Sequence, residues 1–148
     1  MLAAAKAGGP FCVLVIPYAP DAFVDVAYAV FRGRAGRGCW HPVTGRGARG
    51  ETPLQAARRH ALQQAGIPGD ADYVVLDSRA TIPVESSAGA CGLPEYAFAV
   101  RVEPAELRVP GEQEHCWVSY EVAEGLVRRE SERDALWELR RRFGCATR

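Results

Sequence analysis

The sequence predicts an α/β fold in which a mixed β-sheet is sandwiched between helices, and three observations lead there. Short runs rich in β-branched and aromatic residues recur along the chain, as at residues 11–16, 22–31 and 96–102. A capped stretch from Thr52 to Gly66 places Leu54, Ala57, Ala61 and Ala65 on one face at helical spacing. A second stripe near the end runs through Ala135, Leu136, Leu139 and Phe143. Strands and helices alternate in the order β-β-loop-α-β-β-β-α, so the helices must cover a sheet, giving an α/β/α sandwich.

Each element follows from local chemistry. Residues 11–16 form an apolar strand that Pro17 and Pro20 should break. Val24, Val26, Tyr28 and Val30 alternate in a second strand, pairing with the first like a hairpin. Residues 32–38 make a flexible basic turn, and residues 39–51 read as irregular because Pro42, Gly45, Gly47 and Gly50 punctuate them. Thr52 caps the first helix, Pro53 suits its first position and Gly66 its stop. A short strand follows at residues 73–76. Residues 77–94 read as a loop around a short strand near 81–84, since Pro83, Gly89, Gly92 and Pro94 interrupt them. Strands at 96–102 and 116–120 flank a loop at 104–112, and residues 122–126 form one helical turn. The last helix starts at Ser131, with Asp134 three residues on, and Arg140 to Arg142 suit its C-terminal dipole.

Size and charge narrow the function. The 148 residues suit one domain spanning 1–148, large enough to bury a core without staples. Lysine plus arginine and aspartate plus glutamate both number 18. That balance argues against a duplex nucleic-acid binder, which is usually clearly basic, while leaving a small anionic ligand open. No stretch approaches the roughly 20 apolar residues of a membrane span. The five cysteines are odd in number and without C-x-x-C spacing, and no secretory leader is visible. A reducing, cytoplasmic setting with free thiols is the expectation.

Residues 40–67 carry the most information. Gly45, Glu51, Arg59, Gly66 and Ile67 keep the spacing of glycine, five residues, glutamate, seven residues, then arginine and a closing glycine–aliphatic pair, with Ala61 at an aliphatic place. This resembles the Nudix box, G-x5-E-x7-R-E-U-x-E-E-x-G-U with U aliphatic. The words Trp40-x-x-Val43-Thr44-Gly45 and Gly50-Glu51-Thr52, and Glu114-His115 downstream, look most like the branch that hydrolyses dATP and dihydroneopterin triphosphate. The resemblance implies the Nudix fold over roughly the whole chain. It also implies cleavage of nucleoside diphosphate-linked substrates with a divalent metal, magnesium or manganese. Here the box departs from the family: its later glutamates are His60, Gln63 and Gln64.

Magnesium wants charged oxygens in octahedral geometry. Glutamine supplies oxygen without charge, and imidazole suits zinc, copper or nickel better. Any metal set must therefore come from Glu51, His60, Gln64 and Glu114, and weak binding is expected. If the chain is active, Glu51 and Glu114 are the candidate catalytic acids. Glu51 with Arg59 reads first as an ion pair that holds the loop on the helix, ahead of metal binding. Arg32, Arg34, Arg37, Arg46 and Arg49 lie in loops that should converge on the pocket mouth. Arg46 and Arg49 are the sharper candidates for holding phosphate directly, with Arg32, Arg59 and Trp40 as further ligand contacts.

Three functions compete: a binding protein for a nucleotide or related phosphate compound with weak or no pyrophosphohydrolase activity, an active hydrolase with an unusual metal set, and an interaction module without a small ligand. A homodimer built on the sheet edge would fit the third.

Overall fold

A computed structural model of the protein describes residues 11–33, 38–86, 89–111 and 113–144, with the backbone alone at 84–86, 90, 91 and 144. Arg34, Arg37, Glu112 and Cys145, and the Cys91 side chain, fall outside the described residues.

The strands are β1 (Cys12–Asp21), β2 (Asp25–Arg32), β3 (Val43–Arg46), β4 (Asp72–Ser86), β5 (Gly89–Arg101) and β6 (Glu114–Val118). The helices are α1 (Pro53–Ala65), α2 (Tyr120–Leu126) and α3 (Glu130–Leu139), the last running into a π-turn at Arg140–Gly144. One mixed sheet has the order β4-β5-β1-β2-β6, with β3 also paired to β1. β1 runs parallel to β5 and antiparallel to β2 and β3.

β1 is buried on both faces because it sits at the sheet's centre, and its apolar run reflects this. Val13 and Val15 face α1, joining Phe31, Phe98 and Val100 against Ala57, Ala61 and Ala65. Leu14, Ile16 and Tyr18 face the other way, onto Ala123, Leu136 and Leu139 of α2 and α3. The predicted sandwich is therefore present, with α1 on one face and α2 and α3 on the other.

Helix α1 is built as its sequence predicts. The Thr52 hydroxyl accepts from Gln55 N at 3.2 Å, and the Gln55 amide oxygen accepts from Thr52 N at 2.8 Å. Gly66 closes the helix in a left-handed conformation (φ 67°), and a Cβ there would crowd the backbone of Arg108.

Four expectations need correction. Pro17 does not end β1. It falls where the strand has left β3, after Val15, and has not reached β2, before Tyr18, so on that side a missing N–H costs no ladder bond. Residues 39–51 are not wholly irregular: Val43 is fully buried and β3 pairs across Cys12–Val15. Residues 77–94 are mostly not a loop but a long ribbon of β4 and β5, paired from Arg79↔Tyr96 to Ser86↔Gly89. Pro83 lies on the edge strand, and Pro94 lies just before β5 meets β1, places where a strand tolerates proline. Finally, α3 begins one residue before Ser131. Glu132 returns its carboxylate to Arg129 N at 3.3 Å, while among the described residues the buried Ser131 hydroxyl has no partner.

The irregularity in β4 between Val75 and Arg79 is also held from α3. The Glu138 carboxylate accepts from Asp77 N at 2.6 Å, Ser78 N at 2.8 Å and the Ser78 hydroxyl at 2.7 Å. No helix among the described residues is long and apolar enough to cross a membrane.

The α3 stripe carries much of the second core. Leu136→Ala should destabilise the protein by about 2–5 kcal/mol, since Leu136 is fully buried. Leu62→Ala, at a side chain 55% exposed on α1, should stay within about 0.5 kcal/mol. Urea unfolding midpoints of the two variants check this; equal losses would contradict the assignment of the core.

Candidate functional site

The turn at residues 46–51 joins β3 to α1, and side chains of α1 fasten it. Arg59 grips Glu51 side-on: Nε donates to Oε2 at 2.7 Å and Nη2 to Oε1 at 3.0 Å. Glu51 Oε1 also accepts from Ala48 N at 2.7 Å, and Arg59 Nη2 reaches the Arg46 carbonyl at 3.1 Å. The Arg59 hydrogen bond, helped by the Ala48 amide, holds the Glu51 carboxyl below its ordinary value of 4.5. The sequence favoured an ion pair over a metal ligand at these residues, and the two are paired here.

His60 and Gln64 complete the fastening. His60 Nε2 lies 2.8 Å from the Arg46 carbonyl, and Gln64 Nε2 donates to the Thr44 carbonyl at 2.7 Å and contacts His60 Nδ1 at 3.3 Å. A carbonyl only accepts, so the proton belongs on Nε2 and Nδ1 accepts from the amide; the tautomer is assigned from these partners. The imidazole packs so tightly on the β3 backbone that a Cβ on Gly45 would overlap the ring. Gln63 is exposed.

Arg32 and Glu114 face each other across β2 and β6. Arg32 donates to Glu114 Oε1 through Nε at 3.1 Å and through Nη2 at 2.5 Å, and its guanidinium lies 4.5 Å above the Trp40 ring. Trp40 is half-buried against the α2–α3 core, and its backbone bridges to Val127. His115 stacks on Phe31. Glu51 and Glu114 thus each carry a guanidinium. Among the described residues, no three of His, Cys, Asp and Glu cluster as metal ligands would.

Arg46 and Arg49 are exposed, and among the described residues neither joins an ion pair. Arg46 lines a cleft of about 270 Å³ together with Cys12, Thr44, Ile82, Glu95 and Arg129. Here the structure reveals a cluster that sequence reasoning missed. Glu95 and Glu132 are each only 3% exposed, and one guanidinium serves both: Arg129 Nη2 donates to Glu95 at 3.0 Å and Nε to Glu132 at 3.2 Å. The signal was available, since Glu95 shares the inward alternation of Ala97 and Ala99. Burial first, then the Glu95 carboxylate, pushes the Cys12 thiol up, so Cys12 is a poor nucleophile.

The pKa of Glu51 sets a pH signature. Because the folded value is depressed, its stabilisation is present above 4.5 and is lost as pH falls through the folded value. The pair is part-exposed, so Glu51→Gln should cost about 1 kcal/mol or less at pH 7, roughly 2–4 °C in Tm. That gap should narrow as pH is lowered through the acid range below 4.5. Thermal melts of both proteins across that range check it, and a constant gap would contradict the pair's role.

Comparison with known proteins places this geometry. No family model matches the chain, and no curated protein matches it. Solved structures do. A Listeria monocytogenes protein assigned to the Nudix hydrolases superposes with a TM-score of 0.80 at 30% identity, over 91% of this chain and 94% of that one. The E. coli dihydroneopterin triphosphate pyrophosphohydrolase superposes with a TM-score of 0.71 at 21% identity, over 85% and 91%. A Caenorhabditis elegans Ap4A hydrolase gives 0.68 at 16% identity, over 91% and 98%. The latter two share the fold; the first, at its identity and coverage, establishes that this chain belongs to the Nudix hydrolase family.

Proposed function

We propose that this Nudix protein binds a nucleotide or related phosphate compound through arginine rather than metal, with weak or no pyrophosphohydrolase activity. The observation that carries this reading is where the polar groups of the box are spent. Glu51 is held by Arg59 and Glu114 by Arg32, while His60, Gln64 and Arg59 donate to β3 carbonyls. A divalent cation would have to displace a guanidinium from each acid and would find amide and imidazole where it needs charged oxygen. The donor set does not fit magnesium or manganese. Arg46 and Arg49, three residues apart on the fastened turn, offer planar forks suited to phosphate oxygens. A solved Nudix domain from Shewanella oneidensis, similar in fold, is complexed with ADP-ribose, which supports the reading.

The main alternative, a hydrolase working from Glu51 and Glu114, is supported by the hydrolases among the similar structures and is separated by one assay. Hydrolysis of nucleoside triphosphates, dihydroneopterin triphosphate and nucleotide sugars is followed by chromatography of the products, with magnesium, manganese and zinc in turn. The proposal predicts no turnover above the Glu51→Gln and Glu114→Gln proteins, together with thermal stabilisation by some of the same compounds. Metal-dependent turnover that disappears in both variants would overturn it.

The arginines give a second check. Arg46→Ala and Arg49→Ala should each weaken binding of the stabilising compound by about tenfold or more, as loss of a charge-assisted hydrogen bond implies. Magnesium-dependent binding untouched by either substitution would contradict the arginine site.

A further inference from the structure

A groove of about 630 Å³ runs between the irregular stretch of β4 and the outward side of α3 with its π-turn. It shares no lining residue with the cleft at Arg46. Asp134, Trp137, Glu138 and Arg141 line it from the helix side, Asp77 and Ser78 from the strand. Ala135, Leu136 and Leu139 are packed in the core, which turns Asp134, Trp137 and Arg141 to solvent. Trp137 is 52% exposed, a large apolar surface on a helix whose inner side is already covered.

Most charges around this groove are spent within the chain. Arg142 pairs with Glu138 at 2.8 Å and with Asp77 at 3.1 Å, and donates to the Val75 carbonyl at 3.1 Å. Glu138 also holds the Asp77 and Ser78 amides. These contacts occupy backbone groups that an added strand would need, so this stretch of β4 is closed to strand pairing. Arg133 donates to the Val127 and Arg128 carbonyls, and Arg140 pairs with Glu121 at 3.7 Å. Two charges stay unspent. Among the described residues the Asp134 carboxylate has no ion-pair or hydrogen-bond partner, and the Arg141 guanidinium only lies over the Trp137 ring, 4.9 Å from its centroid. Asp134 and Arg141 stand about 10 Å apart along the helix, too far to pair with each other.

An acid at one end, a base at the other and an aromatic ring between them make this surface complementary to itself. About a twofold axis beside Trp137, an antiparallel copy sets Asp134 opposite the partner's Arg141 and Arg141 opposite the partner's Asp134. One patch then yields two ion pairs, as an isologous contact requires. A parallel copy would set like charge on like charge. The Trp137 indole meets the partner's Trp137 at the centre, where exclusion of water makes an aromatic side chain count most. We propose that this side of α3 is an interface through which two copies of the chain associate antiparallel. It uses none of the residues of the phosphate-binding reading and stands apart from it.

The test is sedimentation of the whole chain over a concentration series up to about 500 μM. The sedimenting mass should double as concentration rises. Arg141→Glu and Asp134→Arg each bring like charges face to face and should weaken the dimer by about tenfold or more. The double variant, Asp134→Arg with Arg141→Glu, exchanges the two charges and should return the dimer to within about threefold of the unmodified chain. That recovery also separates a lost interface from a lost fold. Trp137→Ala should weaken the dimer by about tenfold or more. A chain that stays monomeric throughout the series would overturn the proposal and leave the groove to a different partner. So would a dimer indifferent to both single reversals, or one that the double variant fails to restore.

Discussion

The side-on pair between Arg59 and Glu51 is the interaction on which this end of the molecule depends. Glu51 ties the 46–51 turn to the helix and also receives the Ala48 amide, so one carboxylate fixes both the path of the turn and its distance from α1. Arg59 then extends to the Arg46 carbonyl, where His60 joins it. Gln64 secures the next exposed carbonyl of β3, at Thr44. A four-residue strand has few ladder bonds of its own, so these side chains supply what β3 lacks. The strand is thereby held from two sides, by β1 through the backbone and by α1 through polar side chains.

This arrangement divides the labour of the box. Its glycines make room: Gly45 admits the imidazole and Gly66 lets the chain turn beneath Arg108. In the proposed reading its side chains have changed occupation: groups that would ligate an ion satisfy carbonyls instead, and positive charge at the site comes from Arg46 and Arg49. On the opposite face of β3, Arg46 borders the cleft that leads to Glu95 and Arg129.

Much of the fold was legible because its signals are local. Thr52, Pro53 and Gly66 delimit α1, and the apolar alternation of β1, β2 and β5 marks the sheet. Spacing also pointed to Glu51 with Arg59, since the two lie eight apart across a turn and a helix start. What was not legible depended on partners distant in sequence. Pro17 looks like a breaker until the change of neighbours along β1 is known. The β4–β5 ribbon hides behind Pro83, Gly92 and Pro94, whose tolerance depends on edge positions. Glu114 gave no sign that Arg32, 82 residues away, would hold it. Glu95 and Arg129 went unread because a strand begun at Tyr96 leaves the acid outside the alternation that buries it.

In the proposed reading the polar groups of the box are bound to one another and leave no strong site for a divalent ion. Titration of the unmodified chain with manganese, followed through the EPR signal of the free ion, addresses this most directly. No saturable site tighter than about 1 mM is expected, a binding free energy near −4 kcal/mol. A stoichiometric site of micromolar affinity that disappears in the Glu51→Gln protein would contradict it.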